Sequence, residues 1–133
     1  MLLKINSACG FFLLGLIWII QIVHYPTYLY IDNNKRILFQ NFHTKTISYI
    51  VAPVMIIELI SSFLILINQV NLQNIVILII PVLIWLSTFC ISVPIHKNIN
   101  KSNFEMLAKK LIKTNWIRTI LWTIKALIIF LFY

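Results

Sequence analysis

The sequence predicts an all-α membrane protein: a four-helix transmembrane bundle with a short interfacial helix between the third and fourth spans. Three observations predict it. Of the 133 residues, 61% are hydrophobic, against roughly 45–50% in soluble domains, and the mean hydropathy is +0.95. The apolar residues collect in four runs, each close to the roughly 20 residues that cross a hydrocarbon core. The charged residues, 11% of the chain, lie mostly between those runs.

The first span is expected over about 8–30. One lysine precedes it, as in a signal peptide, but the run is too long for such a segment and no A-x-A site follows. It ends through "QIVHYPTY", residues 21–28. Pro26 has no N–H and steers Tyr25 away from the α region, so the helix should kink or stop just after His24. The second span, about 47–68, carries Pro53 and Glu58. Only "QVNLQ" separates it from the third span, about 74–96, which imposes an antiparallel hairpin. Pro94 precedes His96 at the end of that third run. The fourth span is expected over about 115–133. Before it, Ser102 and Glu105 form a capping box. Phe104, Leu107, Ala108, Leu111 and Ile112 then recur at helical spacing opposite Lys109, Lys110 and Lys113, which predicts a short interfacial helix over about 103–113. The chain is expected to hold no further domain.

Eleven Lys and Arg face three acids, for a net charge of +8. Nucleic-acid binding is excluded because no solvated domain is left to carry the basic patch. The basic residues instead fall in the first and third connections, with Lys35, Arg36, Lys45, Lys97, Lys101, Lys109, Lys110 and Lys113, so those connections should face the cytoplasm and both termini the outside. Cys9 and Cys90 make neither a disulfide framework nor a metal motif.

Polar residues inside the spans are the candidates for chemistry. A charged side chain at the bilayer centre costs about 2.5–3.5 kcal/mol, so such groups turn inward and find partners. With alternating helices, His24, His43, Glu58, His96, Asn115 and Arg118 fall in the cytoplasmic half. Gln21, His24 and Tyr28 share one face of the first helix, as do Asn115, Arg118, Trp122 and Lys125 on the fourth and Trp85, Ser92 and His96 on the third. Three imidazoles and a carboxylate suit a non-heme transition metal such as iron, copper or zinc. The ligands would be His24, Glu58 and His96, with His43 as a fourth. Tyr25 and Arg118 would act at the substrate, and Trp18, Gln21, Tyr28, Trp85, Asn115 and Trp122 would line its space. A heme between His24 and His96 uses fewer of these residues. A third option is non-enzymatic: a small transporter or complex subunit in which Glu58 pairs with Arg118 or His24 relays protons. Ser61, Ser62 and Ser92 show no nucleophile pairing.

"WIIQIVHYPTY", "FQNFHTK", "APVMIIEL", "VPIHKNI" and "NWIRTILWTIK" together resemble a family of small bacterial four-helix membrane proteins, distantly similar to the anthrone oxygenase-like group. The resemblance spans nearly the whole chain. It implies a shared bundle with a polar pocket, a bacterial inner-membrane location and oxidation of a hydrophobic small molecule. Two positions depart from it: Lys125 stands where the family carries arginine, and Phe42 where it carries tyrosine.

Overall fold

The computed structural model describes residues 1–99 and 103–132. Among the described residues there is no strand. Four helices, α1 Leu2–Tyr30, α2 Asn33–Asn68, α3 Leu72–Asn98 and α4 Phe104–Phe132, are each long and apolar enough to cross a membrane. Each packs on its neighbour in sequence and α4 closes against α1, leaving α1 diagonal to α3 and α2 diagonal to α4. The helices alternate in direction. One end of the bundle therefore gathers the end of α1, the start of α2, the end of α3 and the start of α4; we call it the histidine end. Leu13, Ile17, Ile20, Ile80, Ile84, Leu111 and Trp122 form the dry centre, while Phe12, Ile56, Phe63, Leu86, Phe89 and Phe130 project outward, as lipid-facing positions do.

The first helix does not stop after His24. It is α-helical to Ile19, widens into a π turn over Ile20–His24, and continues through a final 3₁₀ turn at Tyr28–Tyr30. Pro26 explains the widening. It lacks an N–H and its ring crowds the carbonyl four residues back, and the preceding amide, Tyr25 N–H, reaches the Ile20 carbonyl five residues back. The same device recurs in α3, where a π turn over Thr88–Ser92 precedes Pro94 and Val93 N–H bonds the Thr88 carbonyl. Pro53 and Pro81 lie inside α-helical segments without widening them.

The second helix begins well before residue 47. A 3₁₀ turn at Asn33–Lys35 leads into an α-helix over Arg36–Asn68, because Phe39, Gln40, His43 and Ile47 repeat at helical spacing and face the bundle. At 1.5 Å per residue its 36 residues span about 54 Å, beyond the roughly 30 Å of a hydrocarbon core. Asn71 caps α3 through its side chain, which accepts from Asn74 N–H at 2.8 Å. The expected interfacial segment is the start of α4 and no break separates them. Leu107, Ala108 and Leu111 are buried against the bundle, so these turns pack with the other helices. Ser102 lies outside the described residues; Glu105 pairs with Lys109 at 2.6 Å on the exposed side.

Candidate functional site

A cavity of about 680 Å³ lies inside the histidine end, within the roughly 300–1,000 Å³ of small-molecule sites. Tyr25, His43, His96 and Arg118 form its polar wall; Leu13, Ile17, Met55, Trp85 and Trp122 form the apolar remainder. Helices α2 and α3 pack closely along the Leu72–Ser87 part of α3 and meet again beyond it through Gln40 and His96. Ser48, Ala52, Thr88 and Phe89 line the cavity at the gap between those two contacts.

The polar wall is a directed hydrogen-bond network. Gln40 sets its polarity: Oε1 accepts from Tyr28 Oη at 2.6 Å, and Nε2 donates both to the His96 carbonyl at 3.2 Å and to His96 Nδ1 at 3.0 Å. A carbonyl only accepts, which fixes the amide orientation, so we assign Nδ1 of His96 as an acceptor and Nε2 as the protonated nitrogen. His96 Nε2–H then donates to Tyr25 Oη at 3.2 Å. Arg118 Nη2 donates to the same phenol oxygen at 3.1 Å and also to Asn115 Oδ1. Asn115 Nδ2 donates to Gln21 Oε1 at 2.8 Å, and Gln21 Nε2 to the Ile112 carbonyl at 3.1 Å. Both acceptor positions of Tyr25 are thus occupied by protein donors, which leaves its own hydrogen for the cavity it lines.

The register comes from the π turns. The extra residue in each rotates the following segment by about 100°. In α1 the inward face passes from Ile17 to Gln21 to Tyr25, with His24 half-buried to one side; in α3 it passes from Ser87 to Ser92. His24 is held among rings instead, with His43 at 4.1 Å between centroids, Phe39 stacked at 5.5 Å and Tyr28 edge-on at 6.1 Å. Its Nε2 is buried without a hydrogen-bond partner. His43 is followed by His96 at 5.6 Å.

Glu58 belongs to a different place. It lies 15 residues after His43 on α2, about 22 Å along the axis, opposite the N-terminal half of α1. Oε1 accepts from Lys125 Nζ at 2.8 Å and Oε2 from Trp122 Nε1 at 3.2 Å. Lys125 also reaches Ser62 Oγ at 3.3 Å. Asn6 Nδ2 closes the cluster on the Glu58 carbonyl, Ser61 Oγ and Ser62 Oγ, all within 2.9 Å. Gly10 lies against the carboxylate, where a Cβ would stand 3.5 Å from Oε1, an ordinary contact. The expected Glu58–Arg118 pair is therefore not formed, and Lys125 takes the role assigned to Arg118.

These positions also revise the ligand set. His24, His43 and His96 come together, Glu58 does not, and both nitrogens of His96 are engaged by Gln40 and Tyr25. Among the described residues no group of three or more His, Cys, Asp or Glu is placed to hold a metal ion. Of the expected lining residues, Trp85 and Trp122 reach the cavity. Trp18 packs edge-on against Trp116 at 5.7 Å and donates to Thr123 at 3.2 Å, outside it. Gln21, Tyr28 and Asn115 act behind the wall as supports. Gln40 was missed because it stood in an expected loop; its place three residues before His43 is the signal that puts both on one helix face. No protein-family model, curated protein or solved structure matches the chain.

Proposed function

We propose that the protein is a multi-pass membrane enzyme that takes a hydrophobic molecule from the bilayer and works by acid–base chemistry on its oxygen-bearing end. The cavity carries this reading: a largely apolar chamber with Tyr25, His43, His96 and Arg118 on one wall and a gap between α2 and α3. Tyr25 offers a proton to a substrate oxygen. Arg118 and His96 hold the phenol from behind, so negative charge passed to it is met by two donors already in place. His43 has no hydrogen-bond partner among the described residues and lines the same wall, in position to act as the base. The resemblance to the anthrone oxygenase-like group supports a hydrophobic substrate; what these residues supply is proton transfer, which changes no oxidation state. No step runs through a metal.

The basic residues of the histidine end support a cytoplasmic orientation for it, with both termini outside, in a bacterial inner membrane. The first turns of α4, with Lys109, Lys110 and Lys113, would then lie at headgroup level.

Native mass spectrometry of protein released from nanodiscs tests the pocket. We expect a hydrophobic adduct on the wild type after incubation with hexadecanol and none on Ala52→Trp, which fills the chamber from α2. Equal adducts on both proteins, or none on either, would sink the reading. Elemental analysis of the same sample should find only background iron, copper and zinc. A stoichiometric metal lost in a His24→Ala, His96→Ala double variant would restore the metal centre. Labelling of a cysteine placed at Asn71 from the outside only is expected from the orientation; labelling from the cytoplasmic side overturns it.

A further inference from the structure

The chain has three acids, and the structure accounts for each. Asp32 is exposed beyond the end of α1, Glu105 pairs with Lys109 on the surface, and Glu58 is closed in its pair with Lys125. None is left for Arg118. Its partners are two neutral groups, the Tyr25 phenol and the Asn115 amide. Arg118 is 8% exposed and lines the cavity, and its Nε is buried with no hydrogen-bond partner among the described residues. Lys97 adds a second positive charge to the cavity lining, and no carboxylate lines it. A buried arginine without a counter-charge is costly, both as an unmatched ion and as an unmade charged hydrogen bond. The wall thus has one donor unspent at the cavity, Tyr25 O–H, beside an uncompensated positive charge.

We propose that the cavity binds a hydrophobic monocarboxylate, its head group against Arg118 and Tyr25 and its apolar body in the chamber, reaching the gap between α2 and α3. This rests on the pocket reading above and deepens it. A carboxylate offers the missing negative charge and an acceptor oxygen for the free Tyr25 donor. The bilayer offers a second source of anionic oxygen on an apolar body, the phosphate of a lipid. A two-tailed lipid brings two chains to a chamber of about 680 Å³, which favours the single-chain carboxylate.

The test compares palmitate with hexadecanol, which has the same chain and no charge, for binding to the full chain in nanodiscs of neutral lipid. We expect palmitate to bind about tenfold or more tightly than hexadecanol. Arg118→Gln, which keeps amide donors and drops the charge, should remove that preference, and Arg118→Lys should keep part of it. Lys97→Gln, at an exposed position, should weaken palmitate about twofold to fivefold and guards against a folding defect in the Arg118 variants. Equal binding of the two wild-type ligands overturns the inference while leaving the pocket in place. So does a preference that survives Arg118→Gln. Failure of both ligands to bind overturns the pocket reading as well. In a competition arm, displacement of palmitate by dioleoylphosphatidic acid at lower concentration than by palmitate itself assigns the site to lipid phosphate and refutes the carboxylate.

Discussion

Replacing Lys125 with methionine removes a charge from the driest part of the molecule while keeping most of its volume. The structure gives the size of the effect. Lys125 and Glu58 have side chains only 1% exposed, so the orphaned carboxylate cannot be solvated where it lies. It loses the 2.8 Å bond from Nζ and keeps the 3.2 Å bond from Trp122. Ser62 loses a further partner at 3.3 Å. Breaking a buried pair on one side costs about 3–5 kcal/mol, and the surviving Trp122 donor puts the expectation near the lower bound, about 3 kcal/mol. Tryptophan fluorescence during unfolding in dodecylmaltoside–SDS mixed micelles reads it directly, since Trp122 is a member of the cluster. A Glu58→Gln, Lys125→Met double variant should recover at least about 1 kcal/mol of that loss, since it removes both charges. A single variant that unfolds within about 0.5 kcal/mol of the wild type, or a double variant no better than the single, would refute the account of Glu58 and Lys125 as mutually dependent.

Gln40→Leu should cost about 1–3 kcal/mol by stranding Tyr28 Oη and the His96 ring, and it should weaken palmitate binding because Gln40 no longer holds His96 against Tyr25; unfolding and binding on one sample check both. Pro26→Ala restores an N–H to α1 and relieves the crowding that widens Ile20–His24, so the π turn should close and Tyr25 should rotate from the cavity. The expected signature is lost ligand binding with stability retained or raised, and unchanged binding would show that Pro26 does not set the register. Gly10→Ala should be tolerated, since its Cβ meets Glu58 Oε1 and Ile129 Cδ1 only at 3.5 and 3.9 Å, whereas Gly10→Leu should destabilise by about 1–3 kcal/mol through overpacking; the same unfolding assay separates the two.

The bundle could be read from the sequence because hydrophobic runs of spanning length leave few architectures open. The site was legible in membership more than in arrangement. His24, Tyr25, His43, His96, Asn115 and Arg118 were all marked as costly groups needing partners. Which partner each found depended on two things that a fixed helical period hides. The π turns shift the register by one residue, so a face counted as Gln21, His24 and Tyr28 became one that runs through Tyr25. The early start of α2 moved His43 and Gln40 from a loop onto a helix, while Glu58 kept its large separation from His43 along that helix. Lys125 was seen on the same face as Arg118, but only packing shows that it, and not Arg118, stands opposite Glu58. Asn6 and Ser62 carried no signal, because short polar residues near a helix start or inside a span have many ordinary uses.

The two widened turns sit on diagonal helices, each just ahead of a proline, and each contains one residue more than an α-helix would use. A helix of this kind is two rotational settings joined in series. The segment before Ile20 in α1, and before Thr88 in α3, is held by packing in the middle of the bundle and, at Asn6, by the Glu58 cluster; the segment after it is held at the polar wall. Deleting a single residue inside either turn would therefore leave the bundle's centre undisturbed while turning Tyr25 or His96 away from its partners. Chain length at these two points, as much as residue identity, determines which side chains meet at the site.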